Sequence, residues 1–279
     1  MQAEKKILKG DLILQNLESI VNRNYLHFEI KGLTRPTRDI LNEVIQGILN
    51  RLEANPLASF HLFSGIMEAL LNGVKGNLRH VIFKDELLNK LTHSDEESSM
   101  KEAEEMLEII LDTSPLRDAM QRYVVPDKLK KTVQKILQLQ DKIRSKKTNF
   151  SDHEKEYLAE ARNKIQKEDF KISMKIRISD DDIYFRIRND APIMGLDMKR
   201  IDSSREQHAE LAKAGRSSEF FRPDYLDEKE SAGFGIAMID EGFYSMGIDP
   251  LTHFTIVSSN KITTVYMRYP IADLQKMDF

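Results

Sequence analysis

From Phe170 onward the chain alternates with a period of two: Ile172, Met174, Ile176 and Ile178 fall on one side, Lys171, Lys175 and Arg177 on the other. Successive side chains of a strand point to opposite faces, so this pattern specifies a strand with one apolar and one polar face. Asp180 to Asp182 supplies a turn, and Ile183, Phe185 and Ile187 alternate with Tyr184, Arg186 and Arg188 on the way back. The alternation returns in Phe254 to Ser258 and Thr263 to Tyr269, and Tyr25 to Ile30 reads as a brief strand with Leu26, Phe28 and Ile30 on one side. Strands with a single apolar face need a covering layer. Ile40, Leu41, Val44, Ile45, Ile48 and Leu49 follow Thr34 and Pro36 at helical spacing, and a second helix is expected over Leu57 to Leu78, after a break at Asn55 and Pro56. Together with a helix around Ala237, these should lie across the apolar face, giving a two-layer α/β sandwich.

Residues 79 to 168 change character. They are rich in Lys, Glu and Asp, include the acidic run Ser94 to Glu97, and carry Met106, Leu107, Ile110 and Leu111 at helical spacing. Pro115 and Pro126 divide the region, Leu129, Val133, Ile136, Leu137 and Ile143 line one face, and Ser151 with Glu154 makes a capping box before a helix holding Tyr157, Leu158 and Ile165. The expected division is therefore a helical lead-in over 1–24, a sheet-bearing domain over 25–78 and 169–279, and a helical insertion over 79–168.

Composition narrows the function classes. Charged residues make up 31% of the chain but nearly cancel to a formal charge of -3, so there is no electrostatic footprint for nucleic acid. The absence of cysteine excludes disulfides, thiolate nucleophiles and cysteine-ligated zinc. No stretch approaches the roughly 18 apolar residues of a membrane span, so the expected setting is cytoplasmic, with neither membrane nor nucleic acid as partner.

Three segments could carry chemistry. On the second helix Phe63, Met67, Leu70, Leu71 and Val74 form an apolar stripe, while Glu68, Asn72 and Lys75 share a polar one. A carboxylate one turn before a carboxamide can orient a water and offer oxygen to Mg²⁺, although an ordinary solvated helix face has the same composition. Ile187-Arg188-Asn189-Asp190-Ala191-Pro192-Ile193 leaves a strand in short polar residues and a proline. It fits either a strand-ending turn or a loop that approaches a ligand. Ser231-Ala232-Gly233-Phe234-Gly235-Ile236-Ala237-Met238-Ile239 puts two glycines before an apolar helical run, where backbone can approach a phosphate at a helix N-terminus.

In order and context these segments resemble the histidine-kinase-like (GHKL) ATPases. Glu68-Ala69-Leu70-Leu71-Asn72-Gly73-Val74-Lys75 is similar to the family's N box, Ile187 to Met194 to its first glycine box, and Gly233 to Ile239 to its later one. Phe220-Phe221-Arg222-Pro223-Asp224 resembles the phenylalanine box beside the ATP lid, and Ser259 through Pro270 is similar to the closing strands. The resemblance implies a Bergerat-type ATP-binding fold with a large helical insertion, and ATP and Mg²⁺ as cofactors. It implies Glu68 as the catalytic base, Asn72 as the Mg²⁺ ligand, Asn189 or Asp190 as the adenine reader, and Gly233 and Gly235 as phosphate contacts. Lys75, Lys213, Arg216 and Arg222 would neutralise phosphate charge. Asn189 stands where the pattern has aspartate, and Ala191 and Ile193 stand where it has glycines.

None of the seven histidines marks a phosphoacceptor hairpin. His27 and His253 fall near strands, His61 and His80 flank the N-box helix, His93 and His208 lie in polar stretches, and the capping box accounts for His153. The chain is thus more similar to stand-alone anti-sigma-factor serine kinases, with a protein as regulatory target or phosphoacceptor and a homodimer left open. Two functional readings remain: a Mg²⁺-dependent protein kinase or ATPase in signal transduction, and a GHKL-like scaffold that binds a partner without turnover. An α/β structural protein with chance matches is the third reading.

Overall fold

The computed structural model describes residues 10–91, 131, 135–136, 139, 151–193, 195–222, 232–259 and 261–276. Two short helices, α1 (Gly10–Gln15) and α2 (Leu17–Val21), lead into β1 (Tyr25–Ile30). Helix α3 (Arg35–Arg51) starts where the side chain of Thr34 accepts a hydrogen bond from the Thr37 amide, with Pro36 in its first turn. Pro36 has no amide hydrogen to leave unpaired there. Helix α4 (Pro56–Leu91) follows, then α5 (Asp152–Lys167), β2 (Ile172–Ile178) and β3 (Asp182–Asn189). The second half contains α6 (Gly195–Lys213), a 3-10 turn (Ser217–Phe221), α7 (Ala232–Ser245), α8 (Pro250–His253), β4 (Phe254–Ser258), β5 (Thr263–Pro270) and α9 (Ile271–Gln275).

The architecture is α/β. Five strands form one antiparallel sheet in the order β1-β2-β3-β5-β4. Register aligns the apolar phases: Ile176 faces Phe185, Phe185 faces Met267, and Met267 faces Phe254 across four strands. These side chains share a core with Ile45, Ile48 and Leu49 of α3, Leu62, Ile66 and Leu70 of α4, and Ile239 and Phe243 of α7. Full burial stabilises such a side chain by about 1.5–3 kcal/mol, so this shared face, more than helix propensity, holds the three helices on the sheet. The opposite phase of the sheet, with Lys175, Arg177, Tyr184, Arg186, Tyr266 and Arg268, is half-buried or exposed.

The strands follow the alternating segments closely, while α4 departs from expectation. It continues from Leu78 to Leu91 without a break, because the apolar spacing persists through Leu78 and Val81, which are buried. There it gains a second, smaller apolar cluster with Ile136 and Tyr157, and Lys84 pairs with Glu168 at 3.0 Å. By length and composition its Pro56–Asp85 stretch could cross a membrane, against the expectation that none would. Its residues Leu62, Ile66 and Leu70 are nevertheless spent on the protein's own core. The capping box before α5 is formed as expected: the Ser151 amide donates to Glu154 Oε2 at 2.9 Å and the Glu154 amide to Ser151 Oγ at 3.2 Å. The acidic run Ser94 to Glu97, His93, Met106 to Leu111, Pro115, Pro126, Leu129, Val133, Leu137, Ile143, Pro223, Asp224 and Asn260 lie outside the described residues, as do Ile7, Leu8, Met194 and Ser231.

Candidate functional site

Helix α4 crosses the sheet at close range, and the crossing explains what meets at its midpoint. A Cβ added at Gly73 would come 3.1 Å from Ile172 Cδ1 and 3.4 Å from Asn189 Cβ, so the helix packs closely on these side chains of β2 and β3. One turn earlier it meets α7. A Cβ on Gly235 would lie 2.0 Å from Glu68 Oε1 and 3.2 Å from Asn72 Nδ2, so only a glycine admits the Glu68 carboxylate there. Gly233 shares that first turn of α7, whose amides have no intrahelical acceptors. Thus Glu68, Asn72 and Gly235 converge, and the stripe lies between two helices where a wholly solvated face was the alternative.

Within the group, Lys75 Nζ stands 4.0 Å from Glu68 Oε1, both side chains being partly exposed. Asn72 Nδ2 is sealed from solvent without a hydrogen-bond partner. A buried amide left unsatisfied costs about 1–3 kcal/mol. Among the described residues Asn72 Oδ1 accepts no hydrogen bond, and Asn72 lies one turn from Glu68 on the same helix face. Two oxygen-bearing side chains one turn apart suit Mg²⁺, which favours hard oxygen ligands and retains waters. No group of three His, Asp or Glu side chains that could hold a metal by itself exists among the described residues.

Asn189 ends β3 in the apolar phase and faces α4, with only 7% of its surface exposed. Its Nδ2 donates to Asn77 Oδ1 at 3.1 Å and to Ala191 O at 3.2 Å. Asp190 is committed elsewhere: Oδ2 accepts from the Lys171 amide at 3.2 Å, and Oδ1 lies 3.7 Å from Arg188 Nη2. The loop beyond needs no glycine, since Ala191 and Ile193 both keep negative φ. It is tied to the closing strands instead, with Thr263 Oγ1 donating to Ala191 O at 2.7 Å and the Ile193 amide donating to Ser258 Oγ at 2.7 Å.

The phenylalanine segment packs rather than projects. Phe220 is buried and stacks on His208 at 4.7 Å between centroids, and Phe221 meets the same imidazole edge-on. His208, read as polar surface from its neighbours, is fully buried; its Nε2 contacts Glu241 Oε2 at 3.1 Å, and Ser217 Oγ donates to Glu241 Oε1 at 3.1 Å. Arg205 forms a two-pronged pair with Asp240 of α7 at 2.9 Å on each prong. Burial pushes the Asp240 carboxyl above its ordinary range, against the opposing pull of Arg205. These contacts fasten α6 and the 3-10 turn to the helix that carries Gly235. Of the lid cations, Lys213 is exposed, whereas Arg216 and Arg222 engage Glu219.

Sequence reasoning missed Asn77, Thr263, Arg205 and His208. For one of these a signal exists: Thr263, like the predicted Asn189, is a polar residue in the apolar phase of an alternating strand, and the two face each other in register. A hollow of about 320 Å³ lies at the opposite end of the sheet among Asn24, Arg51, Ser179 and Gln275, away from this group. It is shallow and lacks the convergence of functional groups seen along α4. No protein-family model, curated protein or solved structure matches the chain.

Proposed function

We propose that the chain is an ATP-binding regulatory protein of the histidine-kinase-like class, built on a Bergerat-type sandwich and acting on a protein partner by phosphoryl transfer or nucleotide-dependent binding. The observation that carries this reading is that one helix brings together two separate polar groups. Glu68 and Asn72 stand against Gly235, while Asn189 stands against Gly73, Gly76 and Asn77 of the same helix. Between Glu68 and Asn77 the helix advances about 13 Å at 1.5 Å per residue.

In this reading the first turn of α7 receives the phosphates through its free amides and glycine backbone. Asn72 would hold Mg²⁺ through Oδ1, and the ion would offset phosphate charge. Glu68, held beside Asn72, accepts a proton from the attacking water or hydroxyl. Lys75 supplies a compact positive charge on the same side. Asn189, rather than the committed Asp190, meets the base.

The test is calorimetric titration of the chain with ATP and ADP, with and without Mg²⁺. Asn72→Ala should weaken Mg²⁺-ATP by about tenfold or more while leaving metal-free ADP within about threefold, since it removes an oxygen ligand alone. Equal losses would refute that role, and no binding at millimolar nucleotide would refute the site. The scaffold reading draws on one observation: the Ile193 amide and Asp190 are already engaged inside the fold. ATP binding without turnover in the wild type would assign the chain to it.

A further inference from the structure

We infer that Asn77 is a positioning residue that sets the choice of nucleobase, by fixing which end of the Asn189 amide faces the base. The inference rests on the nucleotide reading above and adds a chemical selectivity to it. Oxygen and nitrogen of a side-chain amide are told apart only by their hydrogen-bond partners, and here the partners are backbone carbonyls, which can only accept. The end of Asn189 that faces Ala191 O at 3.2 Å must therefore be the NH₂ group. Asn77 is oriented by the same logic: its Nδ2 donates to Lys171 O at 3.4 Å, which turns its Oδ1 toward Asn189 Nδ2 at 3.1 Å. Asn189 thus donates both ways, to Ala191 O and to Asn77, which passes the direction on to Lys171 O, and Thr263 Oγ1 donates to Ala191 O as well.

What remains of Asn189 is its Oδ1. Among the described residues no hydrogen bond to that atom is formed, whereas Nδ2 makes two. The edge presented to a base is a lone acceptor, so the base must bring a donor. A 6-amino purine provides one, whereas a 6-oxo purine opposes oxygen to oxygen. An aspartate at 189 would present acceptors to both Ala191 O and Asn77 Oδ1, so this wiring suits asparagine. Both Asn77 and Asn189 are 7% exposed, which leaves little water to compensate a turned amide.

ATP and ITP, which differ at purine position 6, are titrated into the full chain and its variants with Mg²⁺, alongside thermal unfolding. The wild type should prefer ATP by about tenfold or more. Asn77→Leu, similar in size and unable to accept, should narrow the preference by at least about threefold, because Ala191 O alone then holds the amide. Asn77→Ala provides the same measurement if the leucine variant does not fold. Asn77→Asp gives up the bond to Lys171 O but keeps an acceptor toward Asn189 Nδ2, and should retain more of the preference than Asn77→Leu. A wild type that binds ATP and ITP alike overturns the inference while leaving the nucleotide site standing. Equal losses for ATP and ITP in Asn77→Leu, with their ratio unchanged, reduce Asn77 to a structural role and also overturn it, as does loss of preference in Asn77→Asp as large as in Asn77→Leu. A wild type that binds neither nucleotide refutes the underlying site instead.

Discussion

Replacing Arg205 by methionine should destabilise the protein by about 3–5 kcal/mol at neutral pH, the usual cost of removing one partner from a buried ion pair. The substitution keeps most of the side-chain stem and removes the guanidinium alone. What it leaves behind is specific. Asp240, 1% exposed, loses both prongs of its pair. Pro250 O and Phe254 O lose donors at 3.2 and 3.0 Å, and the ring of Phe254 loses the cation 4.4 Å from its centroid. For a domain whose whole stability is about 5–15 kcal/mol, this is a large share.

The loss should also depend on pH, in a defined direction. Burial already raises the folded carboxyl of Asp240 above its unfolded value, and removing Arg205 raises it further. A group raised in the folded state is least costly below its unfolded pKa, about 4 for aspartate. Its contribution is lost as pH rises through the folded pKa, at up to about 1.4 kcal/mol per pH unit. The deficit of Arg205→Met should therefore be smallest near pH 4.5 and grow toward pH 7.5. Urea unfolding followed by circular dichroism at several pH values measures it directly. The double variant Arg205→Met/Asp240→Leu should recover most of the loss, since no charge is then stranded. A deficit under about 1 kcal/mol at neutral pH, or one that does not change with pH, would refute the reasoning.

Two further outcomes concern the site itself. Gly235→Ala should alter unfolding stability by less than about 1 kcal/mol, because the helix-propensity gain offsets the rotation of Glu68 away from the new methyl. It should still weaken Mg²⁺-ATP by about tenfold in titration, and wild-type affinity would refute the close approach. Glu68→Gln should keep ATP affinity within about threefold and lower single-turnover rates by about 10²- to 10⁴-fold. Unchanged rates would remove Glu68 from the mechanism.

The sequence by itself determined the strands, the starts of α3, α4 and α5, and one side of every layer. Alternation from Ile172 to Ile187 encodes a face as well as a strand, and Thr34, Pro36, Ser151 and Glu154 act on backbone amides within a few residues. Such local signals survive without knowledge of the fold. Helix α6 was not legible in this way: its partly buried apolar residues Met198 and Ile201 are followed by a run of charged and polar ones. The run of α4 past Leu78 was misjudged because its packing depends on partners beyond residue 130, such as Ile136, that local spacing does not name.

Tertiary structure alone decided what each face meets. The motif-like segments indicated Glu68, Asn72 and Gly235, but only packing of α4 on α7 sets the carboxylate over the glycine. Sequence left Asn189 and Asp190 as equals; strand register turned the first toward α4 and tied the second to Lys171. The bond between Asn77 and Asn189 joins residues 112 positions apart. Arg205 with Asp240, and His208 with Glu241, are pairs of the same long-range kind. Periodicity states which residues share a side, whereas partner identity depends on how distant elements close onto one another, and in that closure orientations such as that of the Asn189 amide are fixed by backbone carbonyls that no spacing rule can locate.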